Sequence, residues 1–129
     1  MSDGRKASSE RHGPFNIVNR VIWSWHGWLD AWRNEPSFRS WVYANIASDA
    51  LAFVLPIDPS LRAMIVVLGV VVLAVELINT GVERLADLVE PNENAMIKAC
   101  KDATSAGVAV TAIAAGVAWV FALVGLWVG

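Results

Sequence analysis

The chain has 129 residues, 10 of them Lys or Arg and 12 Asp or Glu, and 56% are hydrophobic. That length allows at most one domain, the near-even charge leaves no basic footprint for nucleic acid, and a mean hydropathy of +0.48 is too high for a small soluble domain. One cysteine, Cys100, with no CxxC or paired-His motif, excludes an internal disulfide framework.

Met1 to Gly13 is polar and charged and is closed by Pro14. It has no apolar stretch or small-residue cleavage site, so it reads as a disordered tail over 1–14 and not as a signal peptide. From Phe15, apolar residues recur at Val18, Val21, Ile22, Trp25, Trp28, Leu29 and Trp32. This spacing predicts an amphipathic helix over 15–34. Its tryptophans and arginines suit a membrane interface; the competing reading is a core helix of a soluble bundle. The membrane-like remainder of the chain favours the interface, as do the seven tryptophans overall.

Asn34-Glu35-Pro36 interrupts that helix, and Pro36 can begin another, because its missing N–H falls among the unpaired first-turn groups. A first span is predicted at about 37–55. It carries Asn45, Ser48 and Asp49, of which Asn45 and Asp49 point to an interhelical hydrogen bond more than to catalysis. Pro56-Ile57-Asp58-Pro59 is a turn, and 61–89 is predicted as the second long helix.

That second helix carries Glu76, Asn79, Glu83 and Asp87 at i, i+3, i+7 and i+11, within about 80° of one face. A carboxylate at the end of a membrane-length apolar run is costly without a partner or a task. The stripe therefore predicts a polar site at a membrane surface, with Asp87 read as a solvated residue paired with Arg84 or a lysine. The polar loop 90–94 ends the helix. A short helix over 95–105 and a third span at about 103–128 follow, the latter rich in Ala and Gly. His12 and His26 read as surface residues, Cys100 as apolar packing, and Trp119 and Trp127 as packing or anchoring groups.

Arg62 is the one exception among 10 basic residues that otherwise lie before the apolar stretch starting at Trp41 or between the lipid-facing part of the second helix, its first two-thirds, and the third span. The positive-inside rule then puts the N-terminus and the region 76–102 in the cytoplasm and the C-terminus outside. Three spans enclose little polar chemistry, so self-association is expected. Carboxylates with an amide suit Mg2+, Lys101 suits phosphate oxygens, and a carboxylate at the lipid boundary suits a general base. This combination predicts phosphoryl transfer at a membrane, although no P-loop and no protein-kinase motif is present.

Three blocks resemble the bacterial integral-membrane diacylglycerol kinases. They are W-S-W-H-G-W-L-D-A-W-R-N-E-P-S-F-R at 23–39, V-E-L-I-N-T-G-V-E-R-L-A-D at 75–87 and A-C-K-D-A-T-S-A-G-V at 99–108. The resemblance implies an all-α membrane protein with an interfacial helix and three transmembrane helices, acting as a homotrimer with composite sites. It implies ATP-dependent conversion of diacylglycerol to phosphatidic acid with Mg2+, in a bacterial cytoplasmic membrane. Glu76 would be the general base, and Glu35 and Glu83 would hold the metal. Trp23, Ser24, Asn79, Lys101 and Asp102 would serve ATP, while Trp32, Asn34 and Ser105 would serve the lipid. Departures from the family pattern are Trp41, Asn45, Asp49, Ala99, Asn92-Glu93-Asn94, and Arg20 where an earlier arginine is usual. An undecaprenol kinase of the same family, and a non-enzymatic conduit or interaction subunit, are the alternatives.

Overall fold

The computed structural model describes residues 16–92 and 94–128. The tail over 1–14, His12, Phe15 and Glu93 lie outside these residues. Among those described, the structure is all-helical: α1 (Asn16–Asn34), α2 (Pro36–Val54), α3 (Pro59–Val89) and α4 (Ala95–Val128).

Four of the helix boundaries have a clear chemical cause. Glu35 is the extended residue before α2, and Pro36 occupies the first turn, where a missing N–H costs nothing. At the other end of α2, Arg62 reaches back from α3 and donates Nε to the Ala52 carbonyl at 2.9 Å and Nη2 to Leu55 and Ile57 at 3.3 Å. A side chain thus satisfies carbonyls that a helix end leaves open. Asp58 caps α3, accepting from the Ser60 N–H at 2.8 Å. Asn94 does the same for α4 through the Met96 N–H, also at 2.8 Å.

The most extensive packing is between α3 and α4, followed by α2 on α3. Ala52, Ile57, Ile65, Ala118 and Ala122 form a buried cluster at the α2–α3 turn, with Leu61, Leu68 and Trp119 around it. At the opposite end Phe38 is fully buried, its ring edge-on to Trp28 at 4.8 Å between centroids. Midway, α2 crosses α3 so closely that a Cβ on Gly69 would stand 2.0 Å from Asn45 Oδ1.

Two helices, α3 and α4, are long and apolar enough to cross a membrane, with mean hydropathies of 2.6 and 2.2 over their most apolar 18-residue windows. Only 22% and 17% of those windows is buried, which distinguishes them from core helices of a soluble protein. Val67, Val70, Ile113 and Phe121 are all more than half exposed on their outer faces. The polar residues of α2 keep it below the same measure. The helix anticipated over 95–105 and the span after it form one continuous α4 of 34 residues, about 51 Å at 1.5 Å per residue.

Three local expectations change. The anticipated interhelical bond of Asn45 or Asp49 is replaced by one from Trp119 Nε1 to Ser48 Oγ at 2.8 Å. Asn45 donates to Trp41 O within its own helix at 2.9 Å, and Asp49 Oδ1 is buried without a hydrogen-bond partner among the described residues. Cys100, read as a packing residue, is exposed; its neighbour Lys101 is the residue that turns to α3, where it pairs with Asp87.

Candidate active site

The polar stripe of α3 enters the protein at Glu76, Asn79 and Thr80, which are 3%, 7% and 7% exposed. Burial at this level demands partners for the polar atoms. Ser37, in the first turn of α2, donates its hydroxyl to Glu76 Oε1 at 2.6 Å. Asn79 Nδ2 donates to Glu83 Oε1 at 3.2 Å, one turn further along α3. Asn79 Oδ1 is buried and has no partner among the described residues. The site thus holds a clamped carboxylate, a second carboxylate and a free amide oxygen.

Glu35 joins from the corner between α1 and α2. Arg84 donates to Glu35 Oε1 from Nη2 at 2.6 Å and from Nε at 3.1 Å. Its other terminal nitrogen, Nη1, donates to Asp30 Oδ2. Asn34 holds the second Asp30 oxygen at 2.6 Å. The Arg84 guanidinium, followed by the Asn34 amide, keeps the Asp30 carboxyl below the usual aspartate range. Arg39 locks the same corner independently by donating to the carbonyls of Trp32 and Arg33 at 2.9 and 3.1 Å.

The third block lies at the α3–α4 turn. Lys101 pairs with Asp87 across the helices, and Lys98 pairs with Asp102 along α4 at 2.5 Å. An open cleft of about 600 Å³ lies beside them, lined in part by Asp87, Glu90, Asn92, Lys98 and Lys101. Ser105 is exposed one turn further along α4.

The remaining candidates are more scattered. Trp32 meets Tyr43 edge-on at 5.7 Å. Trp23 is 61% exposed on α1, and Ser24 spends its hydroxyl on the Arg20 carbonyl at 2.8 Å. Neither contacts the Glu76 group. Ser37 and Thr80 were not singled out from the sequence. The sequence cue for Ser37 was a serine beside a helix-opening proline, which reads as a terminal residue and not as a partner 39 positions away.

No set of three His, Cys, Asp or Glu side chains within the described residues is close enough to hold a metal ion. Mg2+ is commonly held by one or two carboxylates together with substrate phosphates, so Glu83, Glu35 and the free Asn79 oxygen suit its chemistry.

A family model described as "Prokaryotic diacylglycerol kinase" matches residues 22–123, which covers all of these groups. The chain belongs to the prokaryotic diacylglycerol kinase family. It is therefore a lipid kinase, and the reading as a conduit or interaction subunit falls away. Among similar proteins, the diacylglycerol kinase of Pseudomonas aeruginosa is 32% identical over 109 residues, covering 84% of this chain and 89% of the relative. The diacylglycerol kinase of Escherichia coli K12 is 28% identical over 103 residues, covering 80% and 84%. The family match takes in the whole of α2 as well as α3.

Proposed function

We propose that the protein phosphorylates diacylglycerol to phosphatidic acid with ATP at the cytoplasmic face of a bacterial inner membrane. The observation that carries this reading is the buried Glu76 carboxylate clamped by Ser37 beside the unpartnered Asn79 oxygen, on a helix long enough to cross a membrane. The names of the relatives supply the substrate.

Glu76 takes the proton of the lipid's primary hydroxyl as that oxygen attacks the γ-phosphorus. The bond from the γ-phosphorus to the β–γ bridging oxygen breaks, and ADP leaves. Ser37 fixes the carboxylate through Oε1, leaving Oε2 to face the hydroxyl. Asn79 orients the reacting groups and Lys101 neutralises phosphate oxygens, in keeping with phosphoryl transfer as positioning plus charge neutralisation. Glu83 and Glu35 would hold Mg2+, which supplies charge neutralisation of the phosphates when bound. Asp102, Trp23 and Ser24 complete the ATP approach, and Trp32, Asn34 and Ser105 the lipid approach.

In this reading α1 lies in the interface, and α2 is a third span whose polar residues are covered by α3 and α4. A homotrimer covers the exposed apolar faces of α3 and α4, and neighbouring subunits complete each site. The basic residues near the site end, with Arg62 the exception among 10, support a cytoplasmic active site.

The test is transfer of labelled phosphate from ATP by purified protein in mixed micelles, with diacylglycerol or undecaprenol supplied separately. Mg2+-dependent labelling of phosphatidic acid that is lost in Glu76→Gln is the expected result. Labelled undecaprenyl phosphate alone would replace the substrate and keep the mechanism. Transfer to neither alcohol would overturn the reading.

A further inference from the structure

Arg84 is absorbed by neither the proton transfer nor the nucleotide contacts, yet it follows Glu83 directly and grips Glu35. Three observations bear on it. First, Glu35 occupies the N-cap of α2 but makes no side-chain capping bond. Its carboxylate turns away from the helix amides that a capping side chain normally serves and toward Arg84. Second, both guanidinium bonds to Glu35 end on Oε1, at 2.6 and 3.1 Å, which leaves Oε2 outside the grip. Third, Arg84 is itself anchored: its Nη1 is held by Asp30 Oδ2, while Asn34 holds Asp30 Oδ1 at 2.6 Å.

We infer that Arg84 is a positioning residue that fixes Glu35 by one oxygen and presents the other to the metal of the bound Mg-nucleotide. This rests on the metal role given to Glu35 in the proposed function. The chain of contacts runs from Asp30 on α1 through Arg84 on α3 to Glu35 at the start of α2. It is the arrangement by which hydrogen-bonded outer groups orient a ligating carboxylate. The planar fork matters, because Nε and Nη2 engage Glu35 while Nη1 engages Asp30; a lysine ammonium has no such geometry. The corner does not depend on Arg84 for its shape, since Arg39 holds the Trp32 and Arg33 carbonyls and Phe38 packs on Trp28.

The experiment measures Mn2+ binding by electron paramagnetic resonance on purified full-length protein in micelles, with adenosine β,γ-imidotriphosphate present. The series is wild type, Arg84→Gln, Arg84→Lys, Asp30→Asn, Glu35→Gln and the Asp30→Asn/Arg84→Gln pair. Loss of an outer-shell partner weakens a metal site by about 10–100-fold, so Arg84→Gln should bind Mn2+ about tenfold more weakly. Arg84→Lys should recover only part of this. Asp30→Asn should move in the same direction, and should add nothing once Arg84 is gone. In turnover, the Mg2+ half-saturation of Arg84→Gln should shift by more than kcat falls. Near-ultraviolet circular dichroism of the Trp28–Phe38 pair checks that the corner persists; a variant that loses this signal is replaced in the comparison by Arg84→Lys.

Wild-type binding by Arg84→Gln alongside weak binding by Glu35→Gln would overturn this inference and leave the kinase reading intact. Wild-type binding by Glu35→Gln would remove the metal role of Glu35 and the inference with it. Independent effects of Asp30→Asn and Arg84→Gln would overturn the linked arrangement.

Discussion

Ser37 and Glu76, 39 residues apart, share a hydrogen bond of 2.6 Å in which the serine hydroxyl donates to the carboxylate. It ties the first turn of α2 to the most buried acidic group of α3. Removing either partner has different consequences. Glu76→Gln keeps the shape and a bond to Ser37 but removes the proposed base, and should lower turnover by about 10²–10⁴-fold. Single-turnover transfer measures this, and a variant retaining more than about a tenth of wild-type rate removes the general-base role. Ser37→Ala leaves a buried carboxylate oxygen unpaired and should destabilise the fold by about 1–3 kcal/mol, read from thermal unfolding in detergent.

Glu83→Gln should weaken Mg2+ dependence more than it weakens ATP binding. An unaltered Mg2+ titration would move the metal role elsewhere. Asn79→Ala should lower kcat as well, since it deletes both the bond to Glu83 at 3.2 Å and the free buried oxygen.

Gly69→Ala should destabilise the α2–α3 crossing. The new methyl would stand 2.0 Å from Asn45 Oδ1, forcing Asn45 to swing and give up its 2.9 Å bond to Trp41 O. Overpacking of this kind costs about 1–3 kcal/mol. The double variant Asn45→Ala/Gly69→Ala should recover most of the loss, and equal losses in single and double variants would place the strain elsewhere.

Acid should release Asp30 from Arg84 before it unfolds the bundle, while Arg39 and the Trp28–Phe38 contact keep the shape of the α1–α2 corner. Asp30 is held below its ordinary range by Arg84 and then Asn34, so the folded value lies under the unfolded one. Its contribution is complete above the unfolded value and is lost as pH falls through the folded value. Infrared difference spectra on acidification should show a protonated-carboxyl band appearing at pH below the ordinary aspartate range, and Asp30→Asn should lack it.

The face shared by Glu76, Asn79 and Glu83 was legible because a helical period of 3.6 needs only local sequence. Ser37 was not, because its partner is set by how α2 crosses α3. Arg84 was expected near Asp87 as a neighbour on one helix. The structure gives Asp87 to Lys101, the other partner anticipated, and gives Arg84 to Asp30 and Glu35. An exposed i,i+3 pair is worth only about 0.2–0.5 kcal/mol, so two carboxylates on adjoining helices outweigh one along the helix. The helix anticipated at 95–105 was separated from its span by composition alone. Lys98, Lys101 and Asp102 change what α4 faces, but none of them interrupts its backbone.

The bond between Ser48 and Trp119 crosses 71 residues of chain, and it has a consequence for biosynthesis. Asn45, Ser48 and Asp49 make α2 the least lipid-soluble of the three long helices that follow α1, yet it is made before the helix that covers it. With α2 as the proposed third span, its polar face would stay uncovered during translation until Trp119 has emerged. A nascent chain halted before residue 118 should therefore leave an Ala52→Cys thiol open to water-borne reagents, and the completed chain, in which Ala52 is fully buried with Ala118 and Ala122, should protect it. In that reading the first of these helices to be synthesised settles only with the last.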